Sequence, residues 1–254
     1  MSAHLARICR FPVKGLSVED LDTVHLTSGE ALPGDRRFAI ARGSAGIDPA
    51  EPGWSPKTNF VTLVRTARLA RLTTRYDADT GELAIYRGGR RVAHADITDP
   101  TGRAVIDQFL AAFLEGEVTR MPRLIDAGGT ALTDAAEPVV SVINLASVRD
   151  LARVTGMTVD PVRFRGNLLV DGVPPWAEWH WQDRALDIGA ARLNVLEPIE
   201  RCAAVDVNPA TGERDANLPK LLRRGYGHVC LGVYATVATG GTMATGDPVT
   251  PPEL

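Results

Sequence analysis

Short apolar runs broken by turn residues dominate this chain, and the elements they predict are mostly strands. Leu5 to Phe11 reads as a strand ending at Pro12, Asp22 to Leu26 as a second and Arg37 to Ala41 as a third. The turn Leu32-Pro33-Gly34-Asp35 separates the last two. Gly43 to Pro56 holds three prolines and three glycines and is read as loop. A meander follows, with Leu69 to Tyr76 joined to Leu83 to Tyr86 by Asp77-Ala78-Asp79-Thr80-Gly81, and Gly88-Gly89 leading into Arg91 to Ala93. In the second half Val139 to Ile143, Leu168 to Val170, Leu193 to Leu196 and Val229 to Val237 carry the same signature.

Helix signals are fewer. Asp99 caps the first helix and Pro100 opens it; Val105, Phe109, Ala112 and Phe113 then form one apolar stripe, and Gly116 marks the stop. Asn144 caps a second helix, with Leu145, Val148, Leu151 and Ala152 on one face and Gly156 past its end. A third starts near Asn217-Leu218-Pro219 and ends at Gly225. A boundary after the first helix divides the chain into residues 1–120 and 121–254. Many short strands with a few short helices favour a mainly β fold of barrel-like domains over a doubly wound sheet.

Composition agrees, since 24 glycines and 17 prolines in 254 residues supply the turns that short strands need. At 44% hydrophobic and 23% charged residues the chain is globular rather than disordered. A net charge of −3 offers no long-range attraction for nucleic acid. Cys9, Cys202 and Cys230 cannot close a disulfide framework and none has CxxC spacing, so a reduced, cytoplasmic protein without a zinc or iron–sulfur motif is expected. No apolar leader follows Met1, and the longest charge-free tract, Val229 to Gly246, is too rich in glycine and threonine to span a membrane.

Some chemistries are absent at the level of motif. There is no P-loop and no GxSxG elbow. Gly225-Tyr226-Gly227 begins like a dinucleotide fingerprint but lacks its third glycine. His4, His25, His94, His180 and His228 are scattered, which argues against a zinc hydrolase.

The basic residues carry more information. Only Lys14, Lys57 and Lys220 occur among 28 lysines and arginines, and Lys14 stands on the turn after the first strand, where a compact ammonium suits a phosphate or another anion. Arg36 and Arg37 follow the Gly34-Asp35 turn, and Arg165 sits between Phe164 and Gly166-Asn167. Each is either a planar fork for a phosphate or heterocycle edge, or a solvated strand-end charge. Cys202 adjoins Arg201, whose charge favours a thiolate suited to metal ligation or nucleophilic attack; the competing reading is a small buried hydrophobe, which is also the expectation for Cys9 and Cys230. Trp176, Trp179 and Trp181 are read as core or packed loop rather than as the wall of a ligand pocket.

Taken in order, Phe11-Pro12-Val13-Lys14-Gly15, Asp35-Arg36-Arg37-Phe38, Phe164-Arg165-Gly166-Asn167, Arg201-Cys202 with Val205-Asp206 and Pro209-Ala210-Thr211-Gly212, and Gly246-Asp247-Pro248-Val249 resemble the MOSC family. That family takes its name from the molybdenum cofactor sulfurase C-terminal domain. The first half resembles the MOSC N-terminal β-barrel domain, in the arrangement of the mitochondrial amidoxime-reducing component and its bacterial counterparts.

The resemblance implies a β-barrel MOSC core with a few short helices and an N-terminal β-rich domain packed against it. It implies a molybdenum–molybdopterin cofactor whose metal is ligated by Cys202, the catalytic centre, with Lys14, Arg36, Arg165, Asn167, Arg201 and Tyr234 holding the cofactor. The activity implied is reduction of an N-oxygenated or similar small molecule, with electrons from a separate protein donor. The alternative is a non-catalytic carrier of sulfur or cofactor on Cys202. The chain departs from the reductases at Gly15, Gly166 and Glu200, where they carry serine, proline and serine.

Overall fold

The computed structural model describes residues 2–49 and 51–252, so residue 50 of the long proline-rich loop lies outside the described residues. In the first half the strands are β1 (His4–Arg10), β2 (Val13–Lys14), β3 (Glu19–Leu21), β4 (Thr23–Leu26), β5 (Phe38–Ala41), β6 (Thr73–Tyr76), β7 (Glu82–Arg87) and β8 (Arg90–Asp96). Helix α1 (Pro100–Phe113) and β9 (Arg123–Asp126) follow. The second half runs β10 (Val140–Asn144), α2 (Leu145–Thr155), β11 (Leu168–Asp171), β12 (Ala185–Ile188) and β13 (Ala191–Glu200). It ends with α3 (Leu218–Tyr226), β14 (Cys230–Thr239), β15 (Gly241–Ala244) and β16 (Val249–Thr250).

The fold is mainly β. Its largest sheet has the order β16-β12-β13-β14-β10-β11-β1-β3. Only β10 and β11 pair in parallel there, joined through α2, and the remaining neighbours are antiparallel. The sheet curls until its ends meet. Leu5 N–H donates to Asp247 O at 2.9 Å, Gly246 N–H returns to Leu5 O at 2.8 Å, and Val249 N–H reaches Ala3 O at 3.0 Å. Inward side chains such as Leu5, Ile8, Val142, Leu168, Leu193, Val233 and Trp181 fill the interior. The opening strands of the chain are thus hydrogen-bonded to its second half, and β4 likewise pairs with β15.

Among the described residues three smaller sheets accompany the main one, the pair β4-β15, β2-β5-β9 and the meander β6-β7-β8. Helix α1 packs on β8 and β9 over a second apolar core that includes Phe38, Leu83, Ile85, Ile106 and Leu110. A third core, with Phe11, Val148, Leu151, Phe164 and Leu222, lies beneath α2 and α3.

Local chemistry accounts for most element limits. Asp99 accepts from the N–H groups of Thr101 and Gly102, and Asn144 from that of Ala146, so both caps work as the sequence predicts. Gly156 adopts φ 67° at the end of α2.

Other expectations need correcting. Leu69–Arg71, read as the start of a strand, belongs to the 3-10 turn Ala67–Arg71, and the strand begins only at Thr73; alanine, leucine and arginine suit a helical turn, whereas the β-branched pair Thr73-Thr74 suits a strand. Helix α1 buries Ile106, Leu110 and Phe113 and leaves Val105 48% exposed, because β8 and β9 meet it on a face turned from the stripe expected. Helix α3 runs to Tyr226 and stops at Gly227, with φ 81°, rather than at Gly225. Strands β2, β3, β9, β12, β15 and β16 were not expected; each spans four residues or fewer, too short for a period to register.

One backbone position is demanding. Gly232 has φ 75° inside β14, and a Cβ there would lie 2.5 Å from Val142 O and 2.6 Å from Ile143 Cδ1. Gly227 has φ 81° but open space around it. Gly232→Ala is expected to lower stability by about 2–4 kcal/mol in urea denaturation, and Gly227→Ala by only about 1 kcal/mol.

Candidate functional site

A cavity of about 850 Å³, counted with its open mouth, lies between elements from both halves of the chain. Lys14, Arg36, Arg165, Asn167, Arg201, Cys202 and Tyr234 all line it, so the structure brings together the residues that the family resemblance assigns to the site, whereas Arg37 is turned to Asp126.

Lys14, at the end of β2, is buried, and its Nζ donates to Leu132 O at 2.8 Å and to Asp134 Oδ1 at 2.7 Å. Burial pulls its pKa down, and Asp134 opposes that pull. Lys57, on a 3-10 turn, reaches the other oxygen of Asp134 at 3.0 Å. Burial raises and the two ammoniums lower the pKa of Asp134, which ends well below the usual carboxylate range.

The arginines interlock. Arg36 and Arg165 both have left-handed backbones, at φ 48° and 51°, a conformation that non-glycine residues keep only under constraint. For Arg36 the constraint is Asp35, which pairs with its guanidinium while also accepting from Phe11 N–H at 2.8 Å. Arg36 Nη2 donates to Arg165 O at 2.7 Å, and Arg165 Nη1 donates to Leu16 O at 2.7 Å. Both guanidiniums stand over the ring of Phe11, at 4.9 and 4.2 Å from its centroid. Arg165 Nη2 is buried with no hydrogen-bond partner. Burial, then the neighbouring Arg36, pulls the pKa of Arg165 down to about 9, so it stays charged at neutral pH.

Arg201 donates from Nε to Leu231 O at 2.8 Å, from Nη2 to the same oxygen, and from Nη1 to Phe164 O at 2.9 Å. Burial pulls its pKa down to about 10, while Tyr234 and then Cys202 push it up. Tyr234 lies on β14, and burial raises its pKa, which keeps the phenol neutral. Asn167 is engaged at both ends of its amide within the protein. Its Oδ1 accepts from Ser141 N–H and Oγ, and its Nδ2 donates to Cys9 O at 3.2 Å, which ties β10, β11 and β1 together at the cavity floor.

Cys202 follows the extended end of β13, caps the 3-10 turn Ala203–Asp206 and is half-buried. Cys202 lines the cavity within electrostatic reach of Arg201 and Lys57. Cys9 is buried as expected, and burial raises its pKa to about 12. Cys230 corrects the expectation: it opens β14 opposite Glu200 and is half-exposed. Glu200 itself is exposed on the rim and stays hydrated, so its repulsion of an anion is screened.

The other departures from the reductases are steric. Gly15 has φ 89°, and a Cβ on Gly166 would lie 2.2 Å from Ile143 Cγ1. The tryptophans do not line the cavity. Trp181 is in the core, and Trp176 and Trp179 pack with Tyr226 and His228.

Lys57 and Asp134 went unassigned from the sequence. The scarcity of lysine was the available signal for Lys57, since two of the three lysines reach this cavity. Nothing local marks Asp134, which lies between β9 and β10 outside any regular element.

A mainly β protein with a cation-lined, thiol-bearing cavity is thus defined. Residues 129–250 match the MOSC domain and residues 2–120 the MOSC N-terminal beta barrel domain; the chain belongs to the MOSC family. It is related in sequence to molybdenum cofactor sulfurase 2 of Culex quinquefasciatus, 25% identical over 91% of this chain and 34% of that protein. It is also 39% identical to the molybdenum cofactor sulfurase of Caenorhabditis briggsae, over 36% of this chain and 13% of the relative. The chain therefore spans at most about a third of the length of these relatives. Among solved structures, the YuaD protein of Bacillus subtilis is similar, with a TM-score of 0.46 and 12% identity over 98% of this chain and 94% of that one. YiiM of Geobacillus stearothermophilus is similar over 45% of this chain and 54% of its own, with a TM-score of 0.36 and 18% identity.

An anion entering the cavity would meet Asp134 already paired with both ammoniums. Asp134→Asn is expected to bind inorganic phosphate about fivefold more tightly at pH 6 by calorimetry, as one opposing charge is removed. The gain shrinks as pH rises, because Lys14, already lowered by burial, loses the carboxylate that favours its charged form. Unchanged or weaker binding at pH 6 would show that the carboxylate orients the lysines instead of competing with the ligand.

Proposed function

We propose that the cavity holds the molybdenum–molybdopterin cofactor, with Cys202 as its protein metal ligand, and that the chain is an oxidoreductase. Its substrate is a small N-oxygenated or similar molecule, and a separate protein donates the electrons. The observation that carries this reading is Arg165 Nη2, a charged donor buried without a partner in a cavity whose other wall presents a thiol.

The donor set fits the group. Lys14, Lys57, Arg36 and Arg165 form a hard cationic wall suited to a phosphate, and Cys202 is the soft ligand suited to molybdenum. When bound, the cofactor supplies two-electron oxygen-atom chemistry. The chain's own residues bind, orient and screen. Arg201 holds positive charge beside Cys202 while its donors stay fixed on Leu231 and Phe164. Tyr234 keeps its proton and offers a hydrogen bond from the β14 side. Asn167 shapes the floor rather than meeting the ligand with a free amide. Asp134 holds exposed Lys57 and buried Lys14 side by side, and these two ammoniums would be available to the cofactor's phosphate.

A second reading, a carrier with sulfur on Cys202, draws on the half-exposed thiol and on relatives named molybdenum cofactor sulfurase.

Protein purified from molybdenum-replete cells is expected to contain the metal by mass spectrometry, and Cys202→Ala to lose it. Arg165→Gln is expected to weaken retention by roughly 30- to 100-fold, the loss of a buried charge-assisted contact worth about 2–3 kcal/mol. Equal, negligible molybdenum in wild type and Cys202→Ala would refute the cofactor reading. An adduct of about 32 Da on Cys202 without pterin would establish the carrier instead.

A further inference from the structure

We infer that Arg214 is the positioning residue for Cys202, the central member of a clasp that holds the cysteine turn against the first half of the chain. The inference rests on Cys202 as the reactive centre.

The clasp is a tight hairpin beyond the turn. Val207 bridges Arg214, Asn208 N–H donates to Glu213 O at 2.7 Å, and Gly212 N–H donates to Asn208 O at 2.8 Å. Its tip presses on the 3-10 turn Ala67–Arg71. Gly212 has φ 70°, and a Cβ there would lie 2.5 Å from Arg71 Cγ and 3.2 Å from Arg71 N.

From this hairpin Arg214 spreads its fork across both halves. Nη1 donates to Ala203 O at 2.6 Å, and Nη2 donates to Leu63 O at 2.8 Å and Val64 O at 2.7 Å. Ala203 directly follows Cys202, and Leu63 and Val64 line the same cavity a few residues beyond Lys57.

The far end of the turn is held separately. Arg163 Nη1 reaches Val205 O at 3.4 Å and Asp206 O at 3.3 Å while its Nη2 pairs with Asp215 at 2.8 Å, and Asp206 accepts from Leu218 N–H at 2.7 Å. Arg163 thus anchors the turn within the second half. Arg214 is the contact that sets its position relative to the cations of the first half. A planar guanidinium is suited to this because its donors diverge to carbonyls on two separate segments.

The test reads a thiol rather than turnover or metal. Wild type, Arg214→Ala and Arg214→Lys are treated with iodoacetamide, and modification of Cys202 and Cys9 is followed by mass spectrometry. Cys9, fully buried, reports general opening of the fold. Arg214→Ala is expected to raise the rate at Cys202 about tenfold with Cys9 unchanged, since local opening is freed without global unfolding. Arg214→Lys, which keeps charge and length but not the fork, is expected to fall between Arg214→Ala and wild type. A parallel rise at Cys9 and Cys202, no change at Cys202, or a lysine variant as fast as the alanine one would overturn the assignment. A protein without molybdenum that still passes this test would refute the cofactor reading and leave the clasp standing.

Discussion

Cations outnumber carboxylates in one cavity of this molecule, and the backbone is what allows it. Moving a charge out of water costs several kcal/mol unless other dipoles replace the hydration. Here main-chain oxygens do so: Leu132 for Lys14, Leu16 for Arg165, Phe164 and Leu231 for Arg201, and Arg165 itself for Arg36. Carbonyls stabilise a cation yet add no net charge, so the cavity keeps its positive potential. The strands and turns must then aim those carbonyls inward, which ties the electrostatics of the site to the geometry of the whole fold.

That coupling explains the strained positions. Arg36 and Arg165 sit in left-handed conformations where their carbonyl, guanidinium and ring contacts overdetermine the backbone. Glycines serve the same end where no side chain fits: Gly15 turns the chain after Lys14, Gly166 lies against Ile143, and Gly232 passes close to Val142 with Arg201 3.2 Å from its absent Cβ. The apolar interior of the curled sheet supplies the rigidity, since Leu5, Val142, Leu168 and Val233 leave no slack behind the cavity wall.

Much of this was legible from the sequence because it is local. Asp99, Asn144 and Gly156 name their helix ends, and the Lys14, Arg36, Arg165 and Arg201-Cys202 motifs each sit at a strand end or in a connection between elements. What was not legible depends on distant packing. The buried face of α1 is decided by β8 and β9, the pairing of β4 with β15 by closure of the molecule, and the role of Asp134 by lysines far away in sequence. Arg214 looked like any other arginine, and only its carbonyl partners on two segments distinguish it.

The circular closure of the main sheet has a consequence for synthesis. Strand β1 is made well before its neighbour β11 and the Gly246–Val249 segment that meets Leu5 and Ala3. Among the described residues β3 is the partner strand of β1 made before β11, so an apolar ribbon keeps an open edge over the synthesis of the intervening residues. Closure of the sheet therefore waits until the Gly246–Val249 segment has been made, and the exposure of the open β1 edge to aggregation lasts as long as that takes.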